Sequence, residues 1–380
     1  MKQTLLEDKN RDKIGASFAE SKLFHTEEEP PEETENNQIR LKTLYLIKAG
    51  TTLTKEYERF VIKKQGEIIK RIPAIHVDQI MVFGNSQLTT QVMQYCLEQR
   101  IPIYLLSGKG KFYGMVDSFN TEPVLIHKAQ FIHSDNAKFC LKIASQFIKG
   151  KIANSQLILK RLARNRDATH LVEIAKHLER SINNVQQAKT LDQLRGYEGS
   201  AARQYFQGLA EIIPPQWGFK KRVKQPPTDP VNALLSYGYT LLFYNIYSFL
   251  RARGLNPHVG YLHPMRMGHP ALASDMIEEF RAIIVDAVVF NLVLNNKLSP
   301  DDFEYNQQKE QNSNNQPACY IKPQARAIFI QHLETKLNAS LTHPNSGLKL
   351  DYRRCIEHQV NHLAAVIRGN QTDYQAIVLR

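Results

Sequence analysis

Apolar and polar residues alternate through KTLYLIKAGTTL and ERFVIKKQGEIIKRIP, with turn residues between them. A period of two predicts strands with one face buried. IHVDQIMVFG follows and ends in Gly84; the spacing then predicts a helical segment over Gln87–Gln99. IPIYLLSGKGKFYGMV reads as strand, tight turn, strand, with Gly108-Lys109-Gly110-Lys111 supplying the permissive backbone. This is not a phosphate-binding loop, because G-x-x-x-x-G-K-[ST] is absent.

From about residue 126 the period becomes helical. Cys140, Ile143, Phe147 and Ile148 share one stripe, and Leu157, Ile158 and Leu162 continue it after Gly150. The clearest helix is 230–253: Asp229 suits the N-cap, Pro230 the first turn and Gly254 the left-handed C-terminal position. Its sequence is apolar nearly all round, which places it in the middle of a helical domain. The polar run from Ser299 to Pro317 predicts a mobile loop, and two more helices are expected near 323–338 and 350–368. The fold class is α+β, a small N-terminal β-strand domain followed by a larger all-helical domain. The expected boundaries are a leader over 1–41, a β-rich domain over 42–125 and a helical domain over 126–380.

Charge sharpens this picture. The 380 residues carry a net charge of +12. Residues 1–41 hold six basic and ten acidic side chains, so the remaining 339 residues carry +16. The leader ends in HTEEEPPEETENNQ, a tract too polar to offset its ordering entropy, and reads as flexible. A basic folded part points to a polyanion. Lys138, Lys142, Lys149, Lys151, Lys160, Arg161, Arg164 and Arg166 recur along the helical segment, either as a solvated face or as a nucleic-acid surface. Lys220, Lys221, Arg222, Lys224, Arg353 and Arg354 add to the same count.

Other classes fall away. Cys96, Cys140, Cys319 and Cys355 form no C-x-x-C pair, so neither a metal knuckle nor a disulfide framework is indicated and a reducing cytoplasm fits. The opening MKQTLLEDKNRDK has no apolar run, so no signal peptide is expected. The apolar stretch Ile283–Leu294 has 12 residues and contains Asp286, too short for a bilayer. No membrane partner is expected.

Three segments carry candidate chemistry: LRGYEGSAARQYF, where Gly196 interrupts a helical pattern and Glu198 opens the next; the loop GLNPHVGYLHPMRMGHP with His263; and ALASDMIEEFR, which starts a long apolar helix. Asp275 and Glu278 lie i, i+3 on one face of that helix. Acidic residues near a helix N-terminus are also ordinary dipole partners. Two carboxylates and an imidazole with open positions suit Mg²⁺ or Mn²⁺, and such an ion near phosphates assists phosphodiester chemistry.

These stretches, with RVKQPPTDPVNALLSYGYTLL and RIPIYLLSGKGKFYGMV, resemble the CRISPR-associated integrase, the Cas-one family, from about Lys42 onward. The resemblance implies a β-strand N-terminal domain used for dimerisation, a helical catalytic domain that binds metal and DNA, and a homodimer. It implies action with a small ferredoxin-like companion of the Cas-two family. The implied activity is a metal-dependent DNA integrase and endonuclease that inserts short DNA fragments, as spacers, into a CRISPR array in adaptive antiviral defence. The recipient is the CRISPR repeat duplex, and the reaction is 3′-hydroxyl transesterification, with Mg²⁺ or Mn²⁺ as cofactor. The family's metal site falls on Glu198, His263 and Glu278, with Asp275 in a supporting role. His269 stands where the family often has Arg. A non-catalytic DNA-binding assembly protein, in which those three residues only hold helices together, is the alternative.

Arg161, Arg164, Arg222 and Arg266 are the candidate phosphate contacts, Arg266 against a structural ion pair and His258 and His269 as further loop candidates. His358 and His362, at i, i+4, lack the zincin order because Glu357 precedes the first His; they read as solvent-exposed or DNA-adjacent. Tyr237, Tyr239, Tyr244 and Tyr247 read as core aromatics, and Asn232 and Ser236 as a buried polar contact or a cap. No G-x-S-x-G nucleophile motif is present.

Overall fold

The computed structural model describes residues 42–108, 110–118, 123–224, 226–311 and 317–379. The leader 1–41, Lys109 of the expected turn and residues 312–316 lie outside the described residues. The chain divides after Thr121 into two compact units.

The first unit contains β1 (Thr43–Leu46), β2 (Thr51–Glu56), β3 (Arg59–Lys64), β4 (Glu67–Pro73), β5 (Gln79–Phe83), β6 (Gln87–Leu88), α1 (Thr90–Glu98), β7 (Ile103–Leu106) and β8 (Phe112–Val116). They form two four-stranded sheets, β4-β3-β2-β6 and β1-β5-β7-β8. In the second, β5 runs parallel to β1 and β7, while β8 turns back antiparallel to β7. Leu44, Leu53, Phe60, Ile62, Ile80 and Ile103 are among its core residues. The helix expected from Gln87 starts later. Gln87 and Leu88 pair with Thr52 and Leu53 of β2, and Thr89 then caps α1 by accepting from Val92 N.

The second unit is mainly helical: α2 (Val124–Ser134), α3 (Ala137–Arg166), α4 (His170–Gln187), α5 (Leu191–Ile212), α6 (Pro230–Ala252), α7 (Ala271–Phe280) and α8 (Ala287–Leu294). After them come β9 (Phe303–Gln311), β10 (Pro317–Ile321), α9 (Pro323–Leu337), β11 (Ser340–Thr342), β12 (Lys349–Asp351) and α10 (Tyr352–Ile367). The 30 residues of α3 span about 45 Å at 1.5 Å per residue and lie against α4, α5 and α7. Gly150 permits the close approach of α7: a Cβ there would stand 3.1 Å from Glu279 Cγ and 2.8 Å from Ala376 Cβ. Helix α6 keeps its expected caps. Asp229 accepts from Asn232 N, and Gly254, at φ +77°, lets Leu255 N reach back to Leu250 O.

Three expectations need correction. Gly196 does not break a helix; α5 runs unbroken from Leu191, so Glu198 sits inside it. Thr190 caps the start and buried Leu194, Ala201, Tyr205 and Leu209 anchor one face, which offsets the roughly 1 kcal/mol that a helical glycine costs. The expected loop 299–317 contains β9, which pairs antiparallel with β10 at the segment's far end. Phe303, Cys319 and Ile321 are buried while Tyr305 stays exposed, so a polar-looking strand still has an inner edge. The second unit is also not purely helical, since β11 and β12 form a further short ribbon. The long apolar helix from Ala271 passes through a π-helical segment, Arg281–Asp286, before α8. No helix among the described residues is long and apolar enough to cross a membrane, and all four cysteines are free and buried.

Candidate active site

The site lies in the second unit and draws on α3, α5, the loop before α7, and α7 itself. Asp275, fully buried on α7, organises the loop. Its Oδ2 accepts from Tyr261 N at 2.6 Å and Leu262 N at 2.9 Å. Its Oδ1 accepts from His263 N at 2.9 Å and lies 2.7 Å from His263 Nδ1. Gly260 makes this wrap possible, because a Cβ there would stand 2.9 Å from Asp275 Oδ2 and 2.7 Å from Ala271 Cβ. The carboxylate occupies Nδ1, which leaves Nε2 as the ring nitrogen for a ligand.

Glu278 follows one turn later, and its carboxylate is almost wholly buried. Burial alone would raise its pKa, but Arg281 and Lys151 outweigh that and bring it down to about 2; His263 contributes in the same direction. Arg281 Nη2 stands 3.3 Å from Glu278 Oε1. Lys151 reaches in from α3. Its ammonium pairs with Glu198 Oε1 and lies 2.7 Å from Glu278 Oε2. Burial pulls the Lys151 pKa down, yet Glu278 and Glu198 prevail and the net shift is upward, so it is a cation. Its contact with Glu278 Oε2 is a buried ion pair, shielded from solvent on the Glu278 side.

Glu198 and Glu278, on different helices, thus converge on one cation position. Among the described residues, no three His, Cys, Asp or Glu side chains are gathered tightly enough to hold an ion. The observed partners account for this: Lys151 lies between the glutamates, and Asp275 engages His263. The chemistry of the set still fits a hard divalent cation, with two carboxylates that already share one cation and an imidazole whose Nδ1 is already oriented.

Behind the glutamates lies a polar network. Asp286 accepts from Tyr239 Oη at 2.5 Å and Tyr205 Oη at 2.9 Å, and burial raises its carboxyl to about 6 against the opposing pull of those bonds. Arg281 stacks over Tyr239, 4.8 Å from the ring centre. A cavity of about 600 Å³ opens beside Glu198, with Arg203, Lys220, Lys221 and Lys224 on its wall. Gly196 and Gly199 flank Glu198, and a Cβ on either would meet nothing within 4 Å. Their bareness serves no internal packing and leaves the helix surface open beside Glu198.

The candidate phosphate contacts separate. Arg164 and Arg266 are exposed, whereas Arg161 is half-buried, with its charge felt by Lys336 and Tyr352. Arg222 turns inward and donates to Asn232 Oδ1 at 2.9 Å and Ser236 Oγ at 3.0 Å, which gives that polar pair its role. Arg353 is buried and bonded to Glu334 and Asn245, so it leaves the surface count. His258 is exposed; half-buried His269 lies 3.3 Å from Ser274 Oγ. His358 and His362 are half-buried rather than solvent-exposed, against His343 and Tyr374 respectively, because α10 folds under the C-terminal segment. Tyr237 is a core aromatic, but Tyr239 belongs to the site network, and Tyr244 and Tyr247 are half-buried. Lys151 and Arg281 were not singled out from sequence. For Lys151 the available clue was its spacing, four residues after Phe147 and four before Ser155, on the buried stripe of α3.

Residues 44–335 match the family model described as CRISPR associated protein Cas1. The chain belongs to this family. A curated relative, CRISPR-associated endonuclease Cas1 3 of Thermus thermophilus, is 32% identical over 88% of this chain and 95% of its own length. Among solved structures, a casposase bound to integration product superposes with a TM-score of 0.74 at 22% identity, over 88% of this chain and 92% of that one. A Cas6-RT-Cas1--Cas2 complex gives 0.76 at 24% identity, over 92% of this chain, which spans 38% of that longer one. The two structures bear on the fold: a strand-rich unit followed by a helical one is the architecture shared with these neighbours.

Proposed function

We propose that the protein is a divalent-metal-dependent DNA endonuclease and integrase that inserts short DNA fragments into a CRISPR array. The observation that carries this reading is the convergence of Glu198 and Glu278 on one cation position, beside a cavity walled by Arg203, Lys220, Lys221 and Lys224. Membership of the Cas1 family and a curated endonuclease relative support it. In this reading Glu198, Glu278 and His263 Nε2 hold Mg²⁺ or Mn²⁺. Such an ion, when bound, acts as a Lewis acid toward a phosphoryl oxygen and stabilises charge on the attacking or leaving oxygen.

The residues of this chain do the rest. Asp275 fixes the His263 ring and the loop that carries it. Arg281 keeps Glu278 ionised and presents a cation at the cavity edge. The lysine-rich wall neutralises backbone phosphates, and the bare α5 surface at Gly196 and Gly199 admits the DNA strand. A DNA 3′-hydroxyl then attacks a phosphodiester of the recipient repeat duplex and displaces another 3′-hydroxyl; water in its place gives hydrolysis. We further infer a homodimer that uses the strand-rich unit, and action with a small ferredoxin-like Cas2 companion; for the companion alone, a Cas6-RT-Cas1--Cas2 complex among the structural neighbours lends support.

The second reading is a non-catalytic DNA-binding assembly protein. The mutual neutralisation of Lys151, Arg281, Glu198 and Glu278 favours it, since such a cluster also ties helices together. Strand transfer of a short duplex into supercoiled plasmid, with and without Mn²⁺, separates the two. Metal-dependent transfer that is lost in Glu198→Ala, His263→Ala and Glu278→Ala, each still folded, is the expected result. Full activity in Glu198→Ala would refute the assignment of the ion site.

A further inference from the structure

Lys151 sits where the site is most anionic. It belongs to the buried stripe of α3, with Phe147 one turn before it and Ser155 one turn after, both buried. Its side chain is 15% exposed, so the ammonium has left most of its water behind and has two carboxylates in exchange. It is paired with Glu198 Oε1 and lies 2.7 Å from Glu278 Oε2. The cluster of Glu198, Glu278, Lys151 and Arg281 balances at two negative and two positive charges.

We propose that Lys151 is the resident counter-cation of the Glu198–Glu278 pair, which a divalent ion must displace to enter. The inference rests on the site reading given above. A dication between these carboxylates would face an ammonium already in contact with both, and like charges in a poorly solvated space repel strongly. The four-carbon stem of lysine is flexible and its ammonium makes no directional demand, so the group can leave by rotation about side-chain bonds. Space for it exists: Lys151 lines the same cavity as Gly199, Lys220 and Lys224. In that cavity the displaced ammonium meets the region offered to DNA phosphates. Lys151 therefore keeps the two helices joined when no ion is present and weakens ion binding until it swings out.

The test is Mn²⁺ binding to the purified full chain, read by the electron paramagnetic resonance of the free ion. It is paired with thermal unfolding in EDTA and in saturating Mn²⁺. Lys151→Met, nearly isosteric and uncharged, should bind Mn²⁺ about tenfold more tightly than wild type, within the usual range of coupling between ligands. In EDTA it should unfold at a lower temperature, because the two glutamates then share only Arg281 as a counter-charge. Mn²⁺ should restore it by a larger increment than it gives wild type. Lys151→Arg should keep the weak binding, and Lys151→Gln replaces the methionine variant should that fail to fold. Unchanged or weaker Mn²⁺ binding in the folded neutral variants overturns the proposal. Glu278→Gln is the control on the site itself. If it binds Mn²⁺ like wild type, the site reading fails; if it loses Mn²⁺ while Lys151→Met matches wild type, only the role of Lys151 fails.

Discussion

Asp275 Oδ1 lies 2.7 Å from His263 Nδ1 and 2.9 Å from His263 N, so one carboxylate oxygen holds both the ring and the backbone of one residue. The other oxygen holds the two preceding N–H groups. The supporting role expected of Asp275 thus has a specific content: it selects the tautomer and pins the loop. In Asp275→Asn an amide N–H faces Nδ1, the proton moves to Nε2, and that nitrogen loses its lone pair. Strand transfer should fall about 10–100-fold, the usual cost of removing such an orienting partner. Imidazole ¹⁵N shifts should report the changed tautomer. Asp275→Ala should also lower the unfolding temperature, since each buried N–H left without an acceptor costs about 1–3 kcal/mol. An Asp275→Asn enzyme with the wild-type rate would remove the tautomer argument.

Neighbouring glutamates on α7 respond to pH in opposite senses. Glu278 is held down at about 2, so its contribution to stability is present above the ordinary 4.5 and is lost as pH falls toward 2. Glu279 is pushed up to about 8 by burial, against hydrogen bonds from Tyr374, Ile377 N and Gln359. Its folded form holds a proton that the unfolded chain releases near 4.5, so it costs stability progressively as pH rises from 4.5 through 8. A rise of that size corresponds to roughly 3–5 kcal/mol at about 1.4 kcal/mol per pH unit. Glu279→Gln keeps an acceptor for Ile377 N and Gln359 and a donor for Tyr374. It should match wild type near pH 5 and unfold at least 4 °C higher at pH 9, at about 2–4 °C per kcal/mol for a unit of this size. Parallel melting curves at both pH values would show that Glu279 ionises without cost.

Glu198, His263 and Glu278 were drawn together by the resemblance of their three stretches to one family; spacing by itself linked only Asp275 and Glu278, one turn apart on a helix. The caps of α6 were equally open to reading, since Asp229, Pro230 and Gly254 act within a few residues. What stayed hidden depends on long-range contact. Nothing in the run of Lys and Arg along α3 marks Lys151 as the one that meets α5 and α7, apart from its place on the apolar stripe. The ribbon of β9 and β10 was hidden because a two-stranded element with one solvated face needs few apolar residues. Arg353 looked like a surface cation because sequence alone does not show Glu334 and Asn245 closing around it.

Arg353 turns that last point into a measurement. Its guanidinium meets both Glu334 oxygens at 2.8 Å and Asn245 Oδ1 at 2.8 Å. Removing one partner of a buried pair leaves the other charge uncompensated and costs about 3–5 kcal/mol. Arg353→Met should therefore lower the denaturation midpoint strongly, while duplex affinity per folded molecule stays near wild type. A stable variant with a marked loss of DNA binding would return Arg353 to the DNA-binding surface.

DNA binding itself should be governed by phosphates. The cations that the fold leaves exposed include Lys160 and Arg164 on α3 and Lys220, Lys221 and Lys224 beside the cavity. Lys142 and Arg166 on α3 are engaged instead, the first with Asp373 and the second with Leu294 O and Asn295. Flexible exposed lysines attract a polyanion but do not present a rigid pattern to base edges, so little intrinsic sequence preference is expected. Affinity should fall steeply with salt, with a log–log slope of about −0.9 per neutralised phosphate. Arg164→Glu and the double change Lys220→Glu with Lys221→Glu should each weaken binding to two unrelated duplexes by similar factors and make the slope shallower. Arg222→Gln should act differently, because Arg222 holds Asn232 and Ser236; its effect should appear in thermal stability before it appears in the slope. A salt titration of all four proteins on both duplexes provides the test. A flat salt dependence, or a wide affinity gap between the duplexes, would show that base contacts rather than phosphates set the binding.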